Sequence, residues 1–345
     1  MQTTLRSIDE RQAPIRARGG LDEATVRPLI HMGYHKTGTS WLQVYLFGRD
    51  DRGFMPLAPQ GIPKPKTRAK YLGKYFYDDG GGRLLPPFES RIGEVRDFLS
   101  GLDLSCGRVP VISSEGLAGN PHFGGAGSKD IANRLMEAFP QARIFIVIRE
   151  QVSMILSTYF HFLRKGGFLT LPDYLGEHFG ARVPRFTPAH YRYDRLIGYY
   201  QQLFGADNVL VQTYETFCKE PETFVRTLGD FSGADLPLDL EYERPINEGL
   251  PRVVEYHTRH LNPLVRRASL NGYSTLSPSD ANDIRRNGLI WLRKCLAKAV
   301  PEGSERKFVS RVRSEIQETV AGYYTESNNR TAELTGLDLT ALGYK

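Results

Sequence analysis

Cysteine is scarce in this chain: Cys106, Cys218 and Cys295 are the only three among 345 residues, and none lies in a CxxC or Cys/His spacing. So small and scattered a set supports neither a disulfide framework nor a structural zinc site, and a reducing compartment is expected. Long apolar runs are missing too. No stretch reaches the about 18 apolar residues of a transmembrane helix, and Met1 to Glu23 is polar and charged, without the apolar centre of a secretory signal. A cytoplasmic enzyme is the expectation. Lys and Arg never gather into a long run, although the net charge is +6. With no nucleic-acid motif beside it, that basicity points away from nucleic acid and toward a multiply anionic small molecule.

What is present is the composition of a globular enzyme, 40% hydrophobic and 24% charged. The informative stretch is Leu29-Ile30-His31-Met32-Gly33-Tyr34-His35-Lys36-Thr37-Gly38-Thr39-Ser40-Trp41-Leu42. Its apolar run predicts a buried strand, and Trp41, Leu42, Tyr45 and Leu46 take the spacing of a helix's inner face. Strand, tight loop and helix N-terminus together bind phosphate. Unpaired amides at the helix start point at the ligand, and the helix dipole adds about half a positive charge there. The spacing Gly33-xxxx-Gly38-Thr39-Ser40 nearly spells the nucleoside-triphosphatase loop. That loop, however, puts its lysine directly after the second glycine, where Thr39 stands here, whereas this lysine is Lys36. The loop suits a monophosphate-sized end, with Thr37, Thr39 and Ser40 adding hydroxyls, and a nucleotide kinase stays open at this point.

The rest of the chain reads as α/β, a central parallel sheet flanked by helices with a helical C-terminal part. Residues 1–25 are expected to be a mobile arm, and 26–345 a single domain with a cofactor-binding core over about 28–232 and a helical extension over about 252–330. Gly48 to Pro87, rich in Gly and Pro and carrying Lys64, Lys66, Arg68, Lys70 and Lys74 beside Tyr71, Tyr75, Phe76 and Tyr77, is expected to be an acceptor-binding flap. The strand Val109 to Ile112 ends near Glu115, and ligands collect outside the carboxyl ends of such strands. A glycine-rich loop with His122 follows. Arg143 to Arg149 is apolar on both faces and should be central. The helix after it places Ser157 eight positions beyond Arg149, two turns along. From Val253 the chain is helical and basic, with Leu289, Trp291, Leu292 and Leu296 as core.

His35-Lys36-Thr37-Gly38-Thr39-Ser40-Trp41 resembles the 5′-phosphosulfate loop of the sulfotransferases that use 3′-phosphoadenosine 5′-phosphosulfate (PAPS). Ile146-Val147-Ile148-Arg149-Glu150-Gln151-x-Ser153-x-x-x-Ser157-x-Tyr159 is similar to that family's 3′-phosphate motif, and Asn208-Val209-Leu210-Val211-x-x-Tyr214-Glu215-x-Phe217 also looks like the family. The resemblance covers about residues 28 to 232. It implies a P-loop-like sulfotransferase fold with PAPS as co-substrate and no metal. Lys36, Thr37, Gly38, Thr39, Ser40 and Trp41 would surround the 5′ end, Arg149 and Ser157 the 3′-phosphate, and Tyr214 the adenine. The basic Arg-Lys-Gly segment of cytosolic members is absent around Pro245 to Arg252, which leaves Arg252 as a candidate contact. Cytosolic members take the acceptor's proton with a histidine just after the second strand, several polysaccharide-modifying members with a glutamate. Glu115 is favoured here over His122. The acceptor is expected to be a hydroxyl of a carbohydrate or glycolipid. An ATP-dependent kinase, disfavoured by the missing aspartate after Ile112, and a non-catalytic protein binding PAPS or adenosine bisphosphate are the competing readings. No feature of the sequence sets the oligomeric state.

Overall fold

A computed structural model describes residues 27–80, 83–103, 105–176, 185–236, 250–265 and 282–345, without the side chains of 264–265 and 282–286. The expected N-terminal arm and most of the segment from Pro245 to Pro251 lie outside the described residues. Strands β1 (Leu29–Gly33), β2 (Phe54–Pro56), β3 (Val109–Ser113), β4 (Arg143–Ile148) and β5 (Val209–Thr213) form one parallel sheet in the order β2-β3-β1-β4-β5. The helices are α1 (Thr39–Trp41), α2 (Pro65–Lys70), α3 (Ile92–Ser100), α4 (Ser128–Ala138), α5 (Gln151–Arg164), α6 (Leu171–Leu175) and α7 (Tyr193–Phe204). Then come α8 (Tyr214–Lys219), α9 (Pro221–Ser232), α10 (Arg252–His257), α11 (Asn262–Val265), α12 (Asn282–Lys298), α13 (Ser304–Thr319) and α14 (Thr325–Thr335).

β4 shows why its sequence has no polar face. Ile144, Ile146 and Ile148 enter one apolar cluster with residues of α4, α5, α7 and α13, while Phe145 and Val147 enter the other with Trp41, Leu42, Leu46, Phe224 and Leu228. Successive side chains of a strand point to opposite faces, so a sheet covered on both sides needs apolar residues at every position. β1 is buried along its whole length between β3 and β4, and its carboxyl end therefore opens at the middle of the sheet.

One expectation is filled in and one is corrected. Gly48 to Pro87, the expected acceptor-binding flap, holds the edge strand β2, the helix α2 and a tight helical turn, Leu72–Phe76. A three-residue strand ending in Pro56 is too short to show a period, which is why it escapes sequence reading. In α12 the expected core holds for Leu289 alone. Among the described residues Trp291 and Leu296 are exposed, and the buried side chain between them is Arg293, bonded to Thr258 and Asn262. A buried guanidinium with its hydrogen bonds made takes the place that hydropathy assigns to an apolar residue.

Candidate active site

The loop from β1 to α1 is built on backbone positions that side chains resist. Lys36 has φ +74, a left-handed conformation costly for any residue but glycine. Gly38, at φ +81, caps α1, and its carbonyl accepts from Trp41 and Leu42 at 2.8 and 3.2 Å. Gly33 has no room for a Cβ, because the Thr37 and Thr39 hydroxyls close over it. The Thr37 hydroxyl donates to the Tyr34 carbonyl at 2.6 Å. It braces the loop, which leaves backbone amides, the Ser40 hydroxyl and the Lys36 ammonium as the groups for an anion. Trp41 is buried against Phe217, with ring centroids 5.1 Å apart, and forms the floor under the loop.

The two sequence motifs meet directly. From the end of β4, Arg149 Nη1 donates to the Lys36 carbonyl at 3.0 Å, and its guanidinium lies 4.6 Å from the centre of the Tyr214 ring. Tyr214 and Phe217 from α8 in turn close on Gly38. Glu150 is not the partner of Arg149. It caps α5, accepting from the Val152 and Ser153 amides at 2.7 and 2.9 Å, and pairs with Arg313. Ser157 is buried two turns along α5.

Sequence reading named Arg149 and Arg252 as candidate contacts but missed Arg164 and Lys66 among the charges around Lys36. Burial lowers the pKa of its ammonium, and Arg164, Arg149, Lys66 and Arg252 lower it further. Arg164 lies seven residues after Ser157 on α5, close to two helical turns, and its Nε donates to Glu255 at 2.7 Å. Arg252 begins α10, where Glu305 accepts from the Arg252 and Val253 amides. Lys66 Nζ, from α2, donates to Ser40 Oγ at 2.7 Å. The one available signal is the i, i+4 spacing of Lys66 and Lys70, which puts both on one helix face.

Glu115 follows β3, as expected, and forms an ion pair with Lys70 of α2. Burial pushes its carboxyl up, but Lys70, together with His35, prevails and holds it at about 2. The flap is fastened at the same turn. Tyr77 Oη hydrogen-bonds Ser114 Oγ at 3.0 Å, and its ring lies where a Cβ on Gly116 would be. His122 is placed differently. It is buried, with Nε2 3.1 Å from His161 Nδ1 and Nδ1 3.3 Å from Tyr174 Oη. Burial, then the neighbouring His161, His35, His190 and Lys165, hold its pKa near 2. His161 stands between it and His35, their ring centroids 5.4 and 6.2 Å away.

A cavity of about 350 Å³ opens between α4 and α7, lined by Tyr34, Lys129, His190 and Arg195 among others, and includes none of the sequence-predicted site residues. Among the described residues no group of three or more His, Cys, Asp or Glu side chains could hold a metal ion, and no helix is long and apolar enough to cross a membrane.

Residues 130–238, which include β4, Arg149, Ser157 and Tyr214, match the model of the Sulfotransferase family. The match is to the sulfotransferases. The family resemblance is thereby borne out over the part of the chain that carries the second motif, the loop at Lys36 lying outside the match, and the expected parallel α/β sheet is present. No curated protein matches the sequence. Among solved structures the chain is similar to a sulfotransferase from Alicyclobacillus acidocaldarius, at 22% identity over 74% of this chain and 99% of that one, with a TM-score of 0.45. It is similar also to the sulfotransferase domain of the Synechococcus PCC 7002 olefin synthase, at 14% identity over 81% and 98% with a TM-score of 0.39. A mouse sulfotransferase complexed with PAP matches at 12% identity over 91% and 89%, with a TM-score of 0.35.

Proposed function

We propose that the protein moves the sulfuryl group of PAPS to a hydroxyl of a carbohydrate or glycolipid acceptor. The observation that carries this reading is the contact of Arg149 with the Lys36 carbonyl above the Tyr214 ring, which joins the loop and the second motif in one cationic site. The residues fit such a donor. Lys36, Lys66, Arg149, Arg164 and Arg252 gather positive charge in one place, and a guanidinium beside a hydroxyl, as in Arg149 and Ser157, suits a terminal phosphate.

Bound there, the donor supplies an activated sulfuryl group: the acceptor oxygen bonds to sulfur as the S–O bond to the 5′-phosphate breaks, and the bond's electron pair stays on the phosphate oxygen. Lys36 stabilises the charge that develops on that oxygen. Loop amides from Thr37 to Ser40, with the Ser40 hydroxyl, hold the 5′-phosphate, and Trp41 supports the loop from below. Arg149 and Ser157 hold the 3′-phosphate, and Tyr214 lies beside the adenine. Glu115, ionised at the end of β3, is the group we assign to take the acceptor's proton; its pair with Lys70 holds the carboxyl low and so weakens it as a base until an acceptor draws Lys70 away, whereas both ring nitrogens of His122 are taken up by His161 and Tyr174. The lysines around Glu115 suit a polar sugar hydroxyl better than an apolar acceptor. Three free, exposed cysteines fit a cytoplasmic setting.

Calorimetric titration tests the reading. Adenosine 3′,5′-bisphosphate should bind the full chain at micromolar strength or better without metal, and Arg149→Ala should weaken it about 10- to 100-fold, the worth of a charged hydrogen bond. Preference for ATP with magnesium would return the loop to the kinases. Bisphosphate binding without sulfuryl transfer to any of a broad panel of sugar, glycolipid and phenolic acceptors would leave a cofactor-binding protein.

A further inference from the structure

The helix α2 carries Lys66 and Lys70 on one face, and the two meet different partners. Lys70 pairs with Glu115. Lys66 reaches over the start of α1, where its ammonium donates to the neutral Ser40 hydroxyl, and among the described residues no carboxylate pairs with it. It is half-buried, and Lys36 feels its charge. The Lys66 ammonium thus stands on the hydroxyl at the loop's exit, within electrostatic reach of Lys36. Like charges brought together out of water raise the free energy of the unliganded state, and an anion between them relieves it. α2 itself is held in place independently of any anion: Arg68 bonds the Gly48 carbonyl and Asp50, Ala69 is buried in the second apolar cluster, and Lys70 is fixed by Glu115.

We infer that Lys66 is a second cationic grip on the donor's 5′ end, holding the non-bridging oxygens of the 5′-phosphate from the flap side while Lys36 serves the oxygen at which the bond breaks. This rests on the sulfotransferase reading. It gives the flap a definite place: Lys66 faces the donor loop, and Lys70, one turn later on the same helix, faces the candidate base. After transfer the same ammonium holds the phosphate of the bisphosphate product, whose charge at that end has lost its sulfuryl cover.

Calorimetry with three ligands separates the ends of the donor: adenosine 3′,5′-bisphosphate, adenosine 5′-monophosphate and adenosine 3′-monophosphate, each titrated into the full-length wild type, Lys66→Met, Lys66→Arg and Arg149→Ala. Lys66→Met should weaken the bisphosphate and the 5′-monophosphate about tenfold or more and leave the 3′-monophosphate within about twofold, as for one lost charge-assisted hydrogen bond. Lys66→Arg, which keeps the charge, should recover most of that loss, and Arg149→Ala should show the opposite ligand pattern. An equal loss for all three ligands, or none, in a Lys66→Met protein that melts like the wild type would overturn the role of Lys66 while leaving the donor reading standing. A failure of Lys66→Arg to recover binding would overturn it too. Failure of the wild type to bind the bisphosphate at all would instead remove the sulfotransferase reading, and this inference with it.

Discussion

Lys70 and Glu115 show how much one ion pair can fix at a site. Their side chains are 23% and 18% exposed, so the pair is neither a solvated surface contact nor a fully buried one. Lys70→Met leaves the carboxylate facing Lys66 and His35 but without its direct partner. The variant should lose about 1–3 kcal/mol at pH 7, the range for a buried polar group left without its bond, read as a lower urea midpoint. The sign with pH follows from the direction of the shift. Glu115 is held near 2 in the folded wild type, below its unfolded value, so the pair's contribution is complete above about pH 4.5 and is lost as pH falls toward 2. The gap between wild type and variant should therefore narrow below pH 4.5. A gap that stayed constant down to pH 3 would mean that the pair does not set the Glu115 charge.

At the scale of elements, the site depends on how α2 and the turn Glu115–Ala118 are held to each other. Tyr77, following the turn Leu72–Phe76, packs where Gly116 has no side chain, and an added Cβ would lie 2.5 to 2.9 Å from its ring atoms. Gly116→Ala must push the ring away and break its bond to Ser114. The expected cost is about 1–3 kcal/mol, typical of overpacking, together with weaker bisphosphate binding as Lys66 moves with α2. Denaturation and calorimetry on the same variant check both. Unchanged affinity in a destabilised protein would show that α2 keeps its place without Tyr77. Little of this was open to sequence reading. Arg149 and Ser157 were legible, because only the short step from the end of β4 into α5 separates them and the helix period places Ser157. The flap appeared only as a basic, aromatic segment, because its partners, Ser40, Ser114 and Glu115, lie 26 to 45 residues away and no local spacing ties them to it.

The whole molecule collects imidazoles beneath the site. His31, His35, His122, His161 and His190 all have pKa values pushed down to between about 2 and 4, chiefly by burial. They stay neutral when folded and take up protons when unfolded. Because the folded values lie below the unfolded value of about 6.5, the unfolded state binds more protons at every pH between them, and stability falls as the solution is acidified from 6.5. Between pH 6.5 and 5.5 each histidine should cost about 1 kcal/mol. The melting temperature should therefore drop steeply between pH 6.5 and 5, and a flat profile there would show that these rings are already charged in the native protein. One apolar cluster runs from Ile30 near the start of the described chain to Tyr344 near its end, and on that ground we propose that 26–345 fold as one domain.

The sequence by itself determined what consecutive residues can determine. The strand, loop and helix around Lys36, the doubly apolar β4 and the step from Arg149 to Ser157 all follow from periods of two or 3.6 and from glycines at positions that exclude a side chain. Tertiary structure alone decided which distant groups complete the site. Lys66, Arg164 and Arg252 come to Lys36 from three separate helices, Glu115 takes Lys70 rather than a loop lysine, His122 turns to His161 and Tyr174, and Arg293 occupies a place that hydropathy gives to Trp291. The physical reason is range. Backbone geometry and side-chain period act over a few residues, whereas charge pairing and burial act across whatever surfaces the packed sheet brings together.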